Sequence, residues 1–581
     1  MFKIYRYAMI MAAALISAAA AAQNLDPTVE VSRAYEGNLV EVHKPAMEMA
    51  VPDTVQQFRL DFDYSVFDSP YKGSYEFNPY LTTMRPAASV FDPNVFYLRA
   101  GAGYRLYPVA DIIWSPAFKK GFKMDVYAVH RSYVGDYRVV SPFASEGGIR
   151  LQEVKNDNKV ASWKGYDFRT DAGVSGRYDW NKGVFGFDVS YLGIYTKEND
   201  YLPGADGTGA YNGLAASFGV ASKAAQTFFY DVDLKYGYAD QLCSDISGNA
   251  VSRVQEHVAG LSADLGPQFK SAHKVLFKVG MDMAFYSGGI AQEMARMNFT
   301  PHYVCNKGRW QVDAGVRVDF LVSPNGSDLL NGVNRQQIVY PDVHVEFEAV
   351  RNAMNIYFKA VGGTKLNTYS DIVKRNHFAD PGYLNMRPLD SEVERVRTLV
   401  GFKGRIGTRF SYDLNGGYAG YANTLLDAVT VVSEGELLPS VGYSTCSKAF
   451  AEFSWLLDTE RVRFDGNAAY SYYWGFESLP GVFAPASLVA DSSVEFNLRR
   501  RIFMGVDCNY ASARKTVSPV DGQQYMVIPG YADLGVSVEW VTSRKLSLWA
   551  RGGNLLNMTI QRTPLYAEGG ISFTAGICLN L

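Results

Sequence analysis

The chain of 581 residues is 48% hydrophobic and 14% aromatic, with 39 Tyr, 34 Phe and 53 Gly, yet its mean hydropathy is only −0.11. Apolar residues in that number without net hydrophobicity are spread along strands rather than gathered into a few greasy helices. With 56 basic and 59 acidic residues the formal net charge is −3, which offers no general attraction to nucleic acid and sets that partner aside.

Residues 1–22 read as a secretory signal peptide. Lys3 and Arg6 precede an apolar run from Ala8, and Ala18 to Ala22 form a small-residue cleavage site before Gln23. The run is about 14 residues, short of the roughly 20 that a spanning helix needs. Residues 23–94 form a periplasmic N-terminal extension. It holds the stretch Val29 to Asp53 and an aromatic run from Phe62 to Tyr80 that is broken by Pro70 and Pro79.

From residue 95 to 581 the dominant signal is period-two alternation, and no run of 18 or more apolar residues occurs. Trp310, Val312, Ala314, Val316, Val318 and Phe320 share one strand face against Gln311, Asp313, Gly315, Arg317 and Asp319. Phe464, Gly466, Ala468 and Tyr470 alternate in the same way with Arg463, Asp465, Asn467, Ala469 and Ser471. At the chain end Ile571, Phe573, Ala575, Ile577, Leu579 and Leu581 oppose Ser572, Thr574, Gly576, Cys578 and Asn580. Strands of about ten residues or more, apolar on one side and polar on the other, fit a tilted membrane wall around a polar lumen.

Connection lengths alternate as well. Short turns span Ser115 to Gly121, Asp179 to Gly183, Cys305 to Arg309, Arg351 to Met354, Gly404 to Arg409, Asp458 to Val462, Asn497 to Arg501 and Thr542 to Lys545. Long loops span Val134 to Gly165, Thr196 to Tyr211, Thr364 to Ser391, Ala422 to Gly442 and Ala511 to Pro529. The expectation is an all-β fold, a transmembrane antiparallel up-and-down β-barrel of about 22 strands. Cations in the short turns, such as Lys119, Lys120, Arg499 and Lys545, are solvated charges, and Tyr470, Tyr472, Tyr473, Trp474, Trp540 and Trp549 read as an interface belt.

Chemical motifs are sparse. Cys243, Cys305, Cys446, Cys508 and Cys578 are odd in number and form no CxxC pair, so each reads as a small strand residue. The seven His are scattered without catalytic or zinc spacing. His344, Glu346 and Glu348 share a lumen-facing side, as do Asp231, Asp233 and Lys235; both groups read as polar lumen wall, with a metal or proton site the sharper alternative for the first. The sequence therefore assigns no catalytic, cofactor-binding or metal residue and reads as a non-enzyme.

The C-terminal segment from Leu546 to Leu581 contains L-S-L-W-A-R-G-G-N-L-L-N and then P-L-Y-A-E-G-G-I-S-F-T-A-G-I. It resembles the closing hairpin of TonB-dependent outer-membrane receptors, through Asn554, Leu555, Leu556 and Asn557 and then Gly569, Gly570 and Gly576. The resemblance implies localisation in the cell outer membrane, contact with outer-membrane lipid and transport of a solute. Three departures stand beside it: the last residue is Leu581 where such barrels often carry an aromatic, residues 23–94 are short for the family's N-terminal plug, and no convincing box for the TonB coupler is present. A lumen of that width must be occluded, by the Gln23 to Pro93 extension or by inward-folding loops. The reading is a receptor-like barrel that moves a small solute, peptide or glycan fragment. The alternative is a structural or assembly barrel that scaffolds a periplasmic or surface-exposed protein partner.

Overall fold

The computed structural model describes residues 96–581, apart from 105–106, 117, 119–120, 158, 198–207, 224–226, 244–252, 270–271, 290–292, 323–335, 352, 379–388, 432–435 and 476–478. The signal and extension assigned to residues 1–94 lie outside the described residues.

Twenty-two strands form one antiparallel sheet that closes on itself. The first half runs β1 (Phe96–Tyr104), β2 (Val109–Trp114), β3 (Phe122–Arg138), β4 (Ser162–Asp179), β5 (Gly183–Lys197), β6 (Thr208–Ser222), β7 (Phe228–Cys243), β8 (Arg253–Phe269), β9 (His273–Gly288), β10 (Glu293–Lys307) and β11 (Trp310–Val322). The second half runs β12 (Gln336–Val350), β13 (Met354–Leu366), β14 (Ser391–Ile406), β15 (Phe410–Val431), β16 (Leu437–Asp458), β17 (Val462–Trp474), β18 (Leu488–Leu498), β19 (Ile502–Ala511), β20 (Tyr531–Val541), β21 (Leu546–Gly553) and β22 (Ser572–Asn580). Every strand pairs with its sequence neighbours, the up-and-down order that the alternating connections predict.

The seam joins the two ends of the barrel. Tyr97 pairs with Asn580 and Tyr104 with Phe573, and Phe96 and Leu581 exchange backbone hydrogen bonds at 2.9 and 2.8 Å. Gly576 is required here because a Cβ would lie 2.0 Å from the Ala100 carbonyl oxygen. Closure leaves the described sheet without an edge strand, so its backbone groups pair within the wall in a medium that supplies no partner.

The predicted faces hold. Val316, Phe320, Phe573 and Ile577 point outward and are exposed, while Asp319 and Cys578 on the opposite face are buried. No helix among the described residues is long and apolar enough to cross a membrane; this wall crosses with strands. At the short-turn end Gly308 and Gly407 supply φ of +64° and +65°, left-handed values that the tight reversals demand.

Three predicted details change. The stretch Ala422 to Gly442 is mostly strand, because β15 and β16 each run 22 residues and pair from Phe410 with Leu457 to Val431 with Leu437. Its apolar residues, among them Leu425 and Val429, face an interior of folded loops, so alternation fades there without the strands ending. Val134 to Arg138 and Ser162 to Gly165 also belong to the wall, paired in β3 and β4. Finally, Tyr473 and Trp549 leave the outer belt. Tyr472, Trp474 and Leu548 point outward, so parity turns Tyr473 and Trp549 into the lumen, where Trp549 is 4% exposed beneath the Arg99 guanidinium.

Candidate functional site

The long connections all leave the same end of the barrel, the extracellular end in outer-membrane barrels. The connection after β13 folds inward and forms the helix α1 (Tyr369–Arg375). Thr368 starts it: its Oγ1 accepts the Asp371 N–H at 3.2 Å, while the Asp371 carboxylate accepts the Thr368 N–H at 3.4 Å, a reciprocal cap. Tyr369, Ile372 and Val373 pack against an inward apolar ring that includes Ile194, Tyr211, Val254, Met294, Leu321 and Val441. Burial of each such side chain contributes about 1.5–3 kcal/mol, which outweighs the weak intrinsic stability of seven helical residues.

Glu256 of β8 fixes the start of α1. Its Oε2 accepts the backbone N–H groups of Tyr369 at 2.7 Å and Ser370 at 3.3 Å, and its Oε1 accepts the Ser370 hydroxyl. Tyr211 donates to Ser370 Oγ at 2.8 Å. At the other end of α1, Arg375 reaches Asp427 Oδ1 at 3.0 Å and the Leu425 carbonyl at 2.8 Å. Arg514, from the connection after β19, donates to Asp427 Oδ2 at 2.9 Å and to the carbonyls of Gln561 and Arg562. One wall carboxylate thus holds two connections, and through Arg514 a third.

A second junction is built on Arg138 at the end of β3. Its guanidinium donates to Glu153 at 2.7 Å, Thr559 at 2.8 Å and Asn557 Oδ1 at 2.6 Å. Asn554 and Asn557 adopt φ of +46° and +52°, conformations asparagine tolerates, and so turn the last connection inward toward Arg138. Gly570 leaves room for this contact, since a Cβ would sit 2.1 Å from Asn557 Oδ1. The Asn-Leu-Leu-Asn run is therefore a loop-folding device. Burial pushes the Glu153 carboxyl up, but hydrogen bonds from Thr559, Lys155 and Arg138 hold it below the ordinary range. Glu568, in the last connection with Asn557 and Thr559, is raised by burial against the pull of Arg562.

Two loop hairpins complete the cap. Val140–Ser145 pairs with Gly148–Glu153, and Gly148–Arg150 runs parallel to Tyr525–Val527 of the hairpin made by Arg514–Val517 and Tyr525–Ile528. Ile149, Leu151, Met526, Ile528 and Leu565 form their shared core. His377, just past α1, lies 2.8 Å from Asp167, and Phe378 stacks on Tyr566 at 4.0 Å.

Between cap and wall lies a cavity of about 940 Å³. Tyr127, Asp171 and Lys235 line it from the first strands, Arg397 and Lys448 from the middle ones, and Ser370, Arg375, Arg514 and Arg562 from the folded connections. A chamber of that size, apolar in part and rich in hydrogen-bonding groups, can hold a solute and orient it.

Of the residues singled out in the sequence, Lys235 reaches this chamber and Glu346 does not. Glu346 is engaged by Lys403 at 2.6 Å and Asn355 at 2.6 Å, and His344 stands 4.0 Å away, an arrangement of ordinary wall contacts. Among the described residues no trio of His, Cys, Asp or Glu is placed to hold a metal, and Cys305, Cys446, Cys508 and Cys578 are free thiols. The sequence does not mark the loop residues Ser370, Arg375 and Arg514. No local pattern marks them, because their positions depend on how the loops fold.

No family model matches the chain, and no curated protein matches it. Solved structures do. The copper transporter OprC is 10% identical over 84% of this chain and 80% of its own, with a TM-score of 0.59. The FrpB iron transporter from Neisseria meningitidis (F5-1 variant) is 9% identical over 84% and 83%, with a TM-score of 0.62. The siderophore receptor PiuA from Acinetobacter baumannii is 9% identical over 85% and 82%, with a TM-score of 0.56. The barrel has the fold of TonB-dependent outer-membrane receptors; at these identities the likeness concerns the fold.

Proposed function

We propose that this chain is an outer-membrane transport barrel, exported by the signal in residues 1–22, that admits a small solute into the chamber beneath its folded loops. The observation that carries the reading is the cap itself: connections from four places in the chain fold inward and are tied to wall residues Glu256, Asp427 and Arg138 around a chamber of about 940 Å³. A scaffold barrel has no need of a polar chamber behind a latched cap, whereas a transporter needs both a holding site and a closed resting state. The named neighbours, a copper transporter, an iron transporter and a siderophore receptor, support the class of activity and leave the cargo of this chain to be found.

The test is uptake. Cells expressing the barrel would be supplied with labelled oligopeptides, glycan fragments and metal chelates, with and without collapse of the proton gradient. Energy-dependent accumulation of one class that disappears on deletion of the gene supports transport. A stable stoichiometric protein partner in gently solubilised membranes, with no accumulation of any class, supports the assembly reading instead.

A further inference from the structure

Lys448 of β16 lines the chamber and is 7% exposed. Its Nζ lies 5.2 Å from the Phe450 ring centroid and 5.9 Å from that of Tyr473, and it makes no hydrogen bond or ion pair with any described residue. Beside it the Arg397 guanidinium is fixed by Glu394 at 2.8 Å and by the Tyr421 hydroxyl at 2.9 Å, and sits 5.7 Å from the same Phe450 ring. Glu394 is spent on that contact. Glu392 and Glu452 also line the chamber, yet neither comes within the 4.0 Å of an ion pair with Lys448. Across the whole lining cations outnumber carboxylates; Arg375 and Arg514 share Asp427 and Arg562 is held by Asp533 and Glu568, whereas Lys448 has no such partner among the described residues.

An ammonium group buried with aromatic neighbours and no partner is costly, and such a cost persists in a fold where a ligand completes the site. We propose that Lys448, steadied by Phe450 and Tyr473 and backed by Arg397, is an oxyanion subsite that receives a carboxylate or phosphate group of the solute. This rests on the chamber being a solute-holding site. Lys448 and Tyr473 both line the chamber, and the donors beside Nζ suit a compact anion better than an extended apolar group.

The experiment is calorimetric titration of the full chain, folded in detergent, with citrate and separately with inorganic phosphate; the two arms distinguish a carboxylate from a phosphate site. Saturable binding of at least one anion is expected. Lys448→Met should weaken it roughly tenfold or more, and Lys448→Gln should do the same, so that either variant decides the point if the other fails to fold. Lys448→Arg should retain most of the binding, and Lys545→Met, in an exposed short turn at the opposite end of the barrel, should leave it unchanged. Absence of saturable binding in both arms overturns the proposal. So does binding that ignores Lys448, which would make this lysine a structural charge balanced at longer range by Glu392 and Glu452. The titration does not require transport, so a barrel that binds but moves nothing refutes the transport reading alone, and one that transports but ignores both anions refutes only this subsite.

Discussion

Glu256 on the barrel wall accepts the backbone N–H of Tyr369 at 2.7 Å, a bond between residues 113 positions apart that ties strand β8 to the helix folded into the lumen. The N–H is one of the donors that every helix leaves unsatisfied at its start, and the buried carboxylate satisfies it together with that of Ser370. Glu256→Ala should therefore loosen α1 by about 1–3 kcal/mol, the cost of leaving a buried polar group without its partner. Cysteine introduced at Lys374 reports the change. Labelling by a membrane-impermeant maleimide should be faster in the Glu256→Ala background, and equal rates would show that the apolar ring holds the helix unaided.

Closure of the lumen is the second expectation. Replacing residues 367–390 by a short flexible linker removes α1 and the contacts of Arg375 and His377 while leaving β13 and β14 paired. The altered barrel should conduct small ions in planar bilayers where the intact one stays closed. An intact protein that already conducts as a wide pore would mean that the cap does not seal.

The outer face gives a third. Val316 lies in the middle of β11 and points outward, whereas Gln311 is on the opposite face. Val316→Arg should destabilise the barrel by about 2–4 kcal/mol, while Gln311→Arg should be nearly silent. Heat modifiability on gels distinguishes them, and equal damage would mean that the strand faces are assigned the wrong way round.

Acid should loosen the junction at Arg138. The Glu153 carboxyl lies below its ordinary value of 4.5 in the folded protein, so its contribution is complete above that value and is lost as pH falls through the lower folded value. Glu568 runs in the opposite sense: burial raises it, and its contribution declines as pH climbs from the ordinary value through the raised one. Hydrogen exchange in Gly148–Glu153, corrected for intrinsic rate, should accelerate on acidification from roughly pH 6 to 3. Glu153→Gln should flatten that dependence; an unchanged profile would place the acid-sensitive contact elsewhere.

Topology supplies the last. Asn156 sits in the connection between β3 and β4 at the long-loop end of the barrel. A short tag inserted there should be labelled on intact cells. Labelling that appears only after permeabilisation would invert the orientation.

The wall was legible in the sequence because each of its residues obeys a local rule. Side chains alternate with period two, one face meets lipid and the other the lumen, and the chain reverses at glycines and short polar turns. That rule gave the closed antiparallel barrel and the faces of β11, β17 and β22. It failed in two kinds of place, for the same reason. Ala422 to Gly442 reads as a loop because the inner faces of β15 and β16 meet folded connections there and carry apolar residues such as Leu425 and Val441. Trp549 reads as a belt residue because an aromatic near a strand end signals the interface, until pairing fixes its parity and turns it toward Arg99. The chamber is wholly a product of tertiary structure. Ser370, Asp427 and Arg514 are far apart in sequence and come together only when the connections fold inward. Hydrogen bonds such as Glu256 to Tyr369 and Arg514 to Asp427 are worth forming only after the closed wall has excluded water and brought its carboxylates over the loops.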